Sequence, residues 1–347
     1  MKRILITGGL GFIGSHTSLR LLEEGYECLI LDSLVNSSLK SLERLNVLIN
    51  KINPKYLNNL TFKKGDIRDI NFLRKIFSES LKSKKSFDGV IHFAGLKSVR
   101  ESNINPLNYW DVNVLGSINL INVMEEFNCR NLIFSSSATI YGPSEILPFT
   151  ERAKVNPINP YGHTKATVEK ILEDIAKTSK KEWRIASLRY FNPIGAHKSG
   201  LIGEDPLTIQ NNIFPIILEV ARKNIKCFEI FGNNWETKDG TGVRDYVHIM
   251  DLSEAHLKAL EFLFNASPQY LVLNIGTGKG TSVLELIKTF KNATGIEIPY
   301  IFSNKREGDV AAAVADNSLS KKVLNWIPKR DIRDMCEDGW NWYSKSK

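Results

Sequence analysis

Apolar and polar positions along this chain fall into blocks of two kinds. Short runs dense in Ile, Val and Leu occur at 3–7 (RILIT), 27–32 (ECLILD), 60–66 (LTFKKGD), 89–94 (GVIHFA), 131–137 (NLIFSSS) and 184–190 (RIASLRY). Such runs, without strict alternation, suit strands covered on both faces, as parallel strands are. The stretches between them predict helices at 12–24, 69–81, 107–127 and 159–179. This βαβ repetition predicts an α/β fold built on a Rossmann-like, doubly wound parallel sheet.

After about residue 191 the rhythm changes. Loops containing Gly and Pro separate short strands near 227–231, 271–275 and 298–302 from helices near 213–223, 251–265, 282–292 and 331–344. The expected organisation is a nucleotide-binding domain over 1–190 and a smaller α/β lobe for substrate over 191–347, with some segments of the latter returning to the first domain. No internal repeat or low-complexity linker appears, so the lobes are expected to pack around a cleft.

Composition removes several classes. A chain of 347 residues, 42% hydrophobic and 24% charged, has the length for about two domains and the balance of an ordinary globular protein. The net charge of +8 is spread along the chain with only short pairs such as Lys84-Lys85 and Lys321-Lys322. No basic arm or aromatic-basic repeat is present, so a nucleic-acid partner is not expected, and the charge reads as solvated surface that attracts small anions. Cys28, Cys129, Cys227 and Cys336 lie far apart with no Cys-x-x-Cys, and Cys28 and Cys129 open apolar runs as small buried residues do. A reduced, cytoplasmic chain is expected. Met1 leads within two residues into the first strand, leaving no room for a signal peptide, and no apolar run approaches the ~18 residues of a membrane span. The six histidines lack metal-ligand spacing, so no metal is expected.

The first strand runs into TGGLGFIGSH, residues 7–16, where Gly8, Gly11 and Gly14 open a helix. That context suits a dinucleotide loop, with a tight turn, close approach of backbone to a pyrophosphate, and an anion at the helix N-terminus. Asp32 ends the second strand, eighteen residues after Gly14, and no Arg follows within ten residues. A carboxylate there accepts from a ribose hydroxyl and repels a 2′-phosphate, which favours NAD over NADP. Asp66 and Ile67 lie where an adenine ring can rest, and Ala94 and Gly95 lie where phosphates pass, with Lys97 just beyond; all follow successive strand ends. GTGKGTS, residues 276–282, lacks the gap of a phosphate loop and reads as a strand-turn-helix connection.

Tyr161 and Lys165 are four apart on one predicted helix and share a face. A phenol with pKa about 10 is a poor base, but a nearby ammonium and an oxidised nicotinamide both favour the phenolate. Tyr161 can then take and return a hydroxyl proton, with Lys165 also holding the nicotinamide ribose. Ser137, ending the fifth strand, can bond and orient the same hydroxyl.

With these residues in place the chain resembles the extended short-chain dehydrogenases/reductases, and within them the UDP-glucose 4-epimerases of the bacterial and animal type. The resemblance spans essentially the whole sequence and rests on TGGLGFIGSH, DSLVNS, GDIRD, IHFAGLKSV, FSSSATIYG, PYGHTK, RYFNPIGAH, GEDP, IFGN, DGTGVRDYVHIMDL, NIGTGKGTSV and REGDV in that order. It implies a tightly bound NAD that takes hydride from the sugar C4 while Tyr161 takes the hydroxyl proton. A 4-keto sugar results, turns about its diphosphate, and regains the hydride on its other face. It also implies cofactor contacts from Phe12, Ile13, Asn36, Ser37, Phe93 and Tyr190, and UDP-sugar contacts from Lys97, Asn192, Asn212, Ile213, Phe231, Arg244, Arg306 and Asp309, beside Ser137 and Tyr161. Two arginines suit a diphosphate because guanidinium presents forked donors. Homodimers through helices matching 107–127 and 159–179 are implied as well.

Two departures from the family stand out. Val112 occupies a place where some relatives have Asn, which leaves Asn113 as the expected cofactor-side amide. Ala313 occupies the place of a bulky Tyr in members restricted to plain hexoses, and a small residue there accompanies acceptance of N-acetylated sugars. A dehydratase on this fold needs an Asp-Glu pair just after the catalytic Ser or Thr, and here Ala138 and Thr139 follow Ser137. A dehydrogenase or decarboxylase would accumulate reduced cofactor or release CO2. A catalytically idle nucleotide-sensing module would not need the set Ser137, Tyr161 and Lys165.

Overall fold

The computed structural model describes residues 1–144, 146–178, 182–205, 207, 212–306 and 308–346. Its first half supplies strands β1 (Arg3–Thr7), β2 (Glu27–Asp32), β3 (Leu60–Lys64), β4 (Gly89–His92), β5 (Asn131–Ser137) and β6 (Arg184–Tyr190). The second half adds β7 (Asn192–Ile194), β8 (Phe228–Phe231), β9 (Val243–His248), β10 (Gln269–Ile275), β11 (Gly280–Ser282), β12 (Tyr300–Ser303) and β13 (Ala312–Ala313). Helices α1 (Phe12–Glu23), α2 (Leu39–Ile52), α3 (Ile70–Lys82), α4 (Val99–Ile104), α5 (Pro106–Tyr109), α6 (Gly116–Glu126) and α7 (Pro160–Lys177) lie among the first six strands. Helices α8 (Ile213–Ala221), α9 (Ile249–Asn265), α10 (Val283–Thr294), α11 (Ser318–Leu324) and α12 (Ile332–Ser346) follow.

Seven strands form one parallel sheet in the order β10-β6-β5-β4-β1-β2-β3. This is the doubly wound arrangement, whose strand order reverses between β1 and β4 and opens a crevice at the C-terminal strand ends. Ile4, Leu5 and Ile6 of β1 are wholly buried because helices cover both faces of the sheet. One core packs Ile4, Ile6 and Ile30 against Leu19 of α1 and Leu257 of α9; the other packs Leu5, Leu29 and Leu132 against Leu73 of α3, Leu120 of α6 and Leu172 of α7. Each such side chain contributes about 1.5–3 kcal/mol by burial. Cys28 and Cys129 sit inside these cores. Although they follow residue 191, β10 completes the main sheet beside β6 and α9 packs on α1.

The rest of the second half builds smaller sheets: β9 between β11 and β13, with β7 also on β9, and the pair β12-β8. Phe214, Ile217, Phe290 and Tyr246 form their core.

Several elements differ from the expectation. The helix expected over 107–127 is α5, a π-helical segment at Trp110–Leu115, and α6 in succession. The strand expected to reach residue 66 stops at Lys64, and the Phe72 ring packs so closely on the next residue, Gly65, that an added Cβ would fall 1.9 Å from it. The strand expected to reach 94 stops at His92. Helix α7 ends at Lys177, and residue 179 of the expected helix lies outside the described residues. Helices α2, α4 and α11 and strands β7, β9, β11 and β13 were not among the expected elements; most are short or amphipathic segments fixed by packing. Among the described residues no helix is long and apolar enough to cross a membrane.

Candidate active site

The glycine loop sits at the C-terminal end of β1, against the chain leaving β4. Gly8 has φ +69°, and a Cβ there would fall 2.6 Å from Ala94 N. A Cβ on Gly14 would fall 2.4 Å from Gly8 O, so the first turn of α1 packs directly on the loop. Gly11 caps α1, and the free N–H groups of its first turn, including those of half-buried Phe12 and Ile13, suit an anion. The Asp32 carboxylate at the end of β2 is buried; Oδ1 accepts from Leu34 N (2.9 Å) and Ser37 Oγ (2.7 Å), and Oδ2 from Leu10 N (3.0 Å). Oδ2 thus keeps a lone pair for a ribose hydroxyl. A bare, closely packed loop beside such a carboxylate fits a dinucleotide.

Other expected cofactor residues are placed differently. Ser37 is engaged by Asp32, and Asn36 lies half-buried beside it. Asp66 is held by Arg68, whose Nη2 and Nε donate to it at 2.8 and 3.1 Å, and this guanidinium holds the carboxyl below its usual range. The Ile67 side chain is buried against Gly116, so only its backbone can face an adenine. The Phe93 ring packs against His256 with centroids 4.8 Å apart and planes tilted by 55°. Tyr190 is also buried, its hydroxyl donating to His256 Nε2 at 2.7 Å, which limits it to presenting a ring edge.

Asn113, the expected cofactor-side amide, is tied to the protein on its donor side: Oδ1 accepts from Leu96 N (2.7 Å) and keeps a second lone pair, while Nδ2 donates to Leu96 O (3.1 Å) and to Thr164 Oγ1 (3.0 Å). Both amide hydrogens are used, so Asn113 ties the loop after β4 to α7. The π-helical segment aims this side chain inward.

Ser137, Tyr161 and Lys165 come together where β5 ends against the start of α7. Asn159 caps α7 by accepting from Gly162 N at 2.8 Å, Pro160 starts it, and Tyr161 lies in its first turn. A Cβ on Gly162 would lie 3.0 Å from Thr139 O, so that turn sits directly on the segment after Ser137. Ser137 lies close enough to the Tyr161 hydroxyl to favour its ionised form, and its Oγ accepts from Thr139 Oγ1 at 3.0 Å. Lys165 is buried, with Nζ donating to Ser135 O at 2.7 Å and lying 5.9 Å from the centre of the Tyr161 ring. A Cβ on Gly95 would lie 3.8 Å from the same Nζ, which joins the loop after β4 to this group.

Burial pushes the Lys165 ammonium down to about 8, offset by the Glu169 carboxylate one helical turn on. Burial also pushes the Tyr161 phenol above its ordinary value, against the opposing influence of the Ser137 hydroxyl. The expected lowering of Tyr161 is therefore not a property of the unliganded chain, because desolvation of a phenolate outweighs the groups around it.

Beneath this group lies polar structure that sequence reasoning missed. Glu169 and Arg189 form a buried bidentate pair at 2.6 and 3.0 Å, and Ser136, next to Ser137, donates to Glu169 at 2.5 Å. His92 bridges Thr7 (2.7 Å) and Ser117 (2.8 Å) under the glycine loop. The polar residue types were visible, but their partners are 20 or more positions away.

On the far side of the cleft, Asn192 starts β7, Asn212 is exposed before α8, and Ile213 packs into the smaller core. Phe231 ends β8 and helps line a cavity of about 540 Å³ with Phe302 and Asn304. The Arg306 guanidinium lies 3.5 Å from the centre of the Phe231 ring, and Asp309 N donates to Arg306 O at 3.2 Å. Arg244 Nη1 donates to the carbonyls of Val243 and Val310. Among the described residues neither arginine forms an ion pair, so both keep their charge for an anion. Lys97, in contrast, is paired with Glu204 at 2.7 Å. Ala313 packs by the cluster of Ile140, Tyr141, Phe149 and Phe191 that follows Ser137.

A protein-family profile described as GDP-mannose 4,6 dehydratase matches residues 5–339. UDP-glucose 4-epimerase 2 of Arabidopsis thaliana is 46% identical over 345 residues, 99% of this chain and 96% of that protein. The fold superposes on UDP-glucose-4-epimerase of Stenotrophomonas maltophila, crystallised with NAD and formylated UDP-arabinopyranose, with TM-score 0.93 and 42% identity over 99% of this chain and 98% of that one. It also superposes on the Bifidobacterium longum UDP-glucose 4-epimerase in complex with NAD+ and UDP, with TM-score 0.91 and 41% identity over 99% of both chains. The profile is broad enough to include dehydratases, but Ala138 and Thr139 stand where their acid-base pair would be, and the full-length relatives are epimerases. Likeness of this extent leaves one assignment: the chain belongs to the UDP-glucose 4-epimerase family, NAD-dependent isomerases of the extended short-chain dehydrogenase/reductase type.

Proposed function

We propose that this chain interconverts UDP-glucose with UDP-galactose and, through the space beside Ala313, UDP-N-acetylglucosamine with UDP-N-acetylgalactosamine. The observation that carries the reading is the joining of Ser137, Tyr161 and Lys165 at one strand end with no acid-base pair after Ser137. Bound NAD would accept and return the C4 hydride, so the reaction has no net oxidation.

Tyr161 Oη takes the C4 hydroxyl proton and later returns it. Ser137 Oγ orients that hydroxyl and steadies the phenolate. Lys165 supplies positive charge and holds the nicotinamide ribose, and the first turn of α7 adds its own positive potential at Tyr161. Gly8, Gly11, Phe12, Ile13 and Gly14 hold the pyrophosphate, Asp32 a ribose, and Ala94, Gly95 and Lys97 close the phosphate side. Inversion requires the 4-keto sugar to show its other face, so the sugar must be held loosely while its anchor is held firmly. Asn192, Arg244 and Arg306 serve the diphosphate, and Asn212, Ile213, Phe231 and Asp309 the uridine.

Residues 1–190 with α9 and β10 would carry the cofactor, and the remainder of 191–347 mainly the UDP-sugar. The working form is read as a cytoplasmic homodimer, which the exposed apolar residues Val99, Ile104, Leu107, Trp110 and Leu115 around α4–α6 support. The deciding experiment incubates purified protein with each UDP-sugar, without added NAD, and identifies the products. Epimers of both pairs without accumulating NADH are expected; NADH accumulation or CO2 release would overturn the epimerase reading, and inert N-acetylated sugars the wider specificity.

A further inference from the structure

The segment GEDP has no part in the chemistry above, yet three elements converge on its described residues. Glu204 Oε1 accepts from Lys97 Nζ at 2.7 Å, and Asp205 Oδ2 accepts from Arg44 Nη1 at 2.9 Å. Lys97 belongs to the loop leaving β4, whereas Arg44 lies in α2, which begins just after Ser37. Gly203 is held against α12: a Cβ there would fall 2.3 Å from Trp342 Cδ1. The Arg44 guanidinium lies 4.7 Å from the same indole and donates to Ser346 O at 3.2 Å. Ser15, in the first turn of α1, lines one small cavity with Arg44, Gly203 and Trp342.

Residues 203–205 therefore run from the phosphate side of the crevice, at Lys97, past the start of α1 to the adenosine side, at α2. Consecutive carboxylates grip cations on either side of the line a dinucleotide would follow. The Glu204 side chain is 12% exposed and those of Arg44 and Asp205 about a quarter, so solvent screens these three ends less than it does the Lys97 ammonium, which is 46% exposed. Glu204 also limits the rotamers of the long, half-exposed Lys97.

We infer that Gly203–Asp205 is a strap that retains the dinucleotide, with Glu204 and Asp205 as positioning residues. This rests on the reading of the glycine loop, Asp32 and Lys97 as cofactor residues. Cofactor release requires the strap to lift, and lifting breaks both pairs together. An enzyme that returns its hydride to the same sugar gains nothing from releasing NAD between half-reactions, so slow release suits it.

The test loads the full-length protein with radiolabelled NAD and follows release into excess unlabelled NAD. Each of E204Q and D205N should release about 10-fold faster than the parent, and the double variant about 100-fold faster, as expected for two ion pairs acting in series. The KM for UDP-glucose should stay within about 3-fold, since a release step and a sugar-binding step are separable. The exchange R44D/D205R should slow release relative to D205R. A double variant that releases label at the parental rate overturns the strap. If the double variant does not fold, E204Q alone, which preserves shape, decides by the same criterion. If the parent holds no label, the cofactor assignment fails; if the parent and variants hold it equally, only the strap fails.

Discussion

Ala313 stands beside Arg244, the two paired in register on parallel strands β13 and β9. A residue proposed to shape the sugar pocket is thus the immediate neighbour of one proposed to hold the diphosphate, and it packs by Ala138 and Phe191 near Ser137. Ala313→Tyr adds a ring in this position. Turnover of the N-acetylated pair should fall at least about 10-fold while the plain pair stays within about 3-fold, the scale of a steric pocket change. Steady-state constants for all four UDP-sugars check this, and equal losses on both pairs would count against Ala313 as the specificity position.

Tyr161→Phe removes the group proposed to move the C4 proton. The kcat should fall by about 100- to 10,000-fold, the usual range for a general acid-base group. NAD should still copurify and thermal stability should hold, because Lys165 bonds Ser135 rather than the tyrosine. Absorbance of bound cofactor and a melting curve, alongside kcat, separate loss of chemistry from loss of structure.

Stability should depend on pH on both sides of neutrality. Burial holds His16 and His92 down to about 3 and His256 to about 4, from 6.5. The unfolded chain then binds more protons below 6.5, so stability is lost as pH falls from there toward 4, by up to about 1.4 kcal/mol per pH unit for each histidine. Lys165, lowered from 10.5 to about 8, acts over the other window: the unfolded chain again binds more protons between these values, so its contribution rises with pH there. Urea midpoints between pH 4.5 and 7 should decline steadily toward acid, and a flat profile would contradict the buried neutral histidines.

The Asp245 carboxylate holds three segments together. It accepts from Thr277 N (2.8 Å), Thr277 Oγ1 (2.6 Å), Gly278 N (2.9 Å) and Ala315 N (3.1 Å). Asp245→Asn turns an amide donor toward these donors and should destabilise the fold by about 3 kcal/mol. Because Ala315 lies two residues beyond Ala313, KM for UDP-sugars should rise as well. Chemical denaturation and initial-rate kinetics read the two effects.

Much of the fold was legible because its cause is local. Apolar runs without alternation require cover on both faces, and six such runs became the six strands β1–β6 of one parallel sheet. The glycines at 8 and 14 are needed wherever backbone packs on backbone, which the 2.6 and 2.4 Å contacts of an added Cβ show. Less regular segments were harder: β9, with neighbours β7, β11 and β13, is a strand because of those partners, and β10 returns to the main sheet by pairing its backbone edge with β6.

The residue types of the candidate site and their spacing can be read along the chain: a glycine loop after a strand, an acid at the next strand end, and a serine followed by a tyrosine and lysine four apart. Such features depend on neighbours in the chain. Which polar groups remain available to a ligand is set by three-dimensional packing, because hydrogen-bond partners are chosen by proximity in space. It engaged the Asn113 amide with Leu96 and Thr164, gave Asp66 to Arg68, and laid Arg306 on Phe231. It also paired Glu204 with Lys97 across 107 residues, a contact that no local pattern encodes.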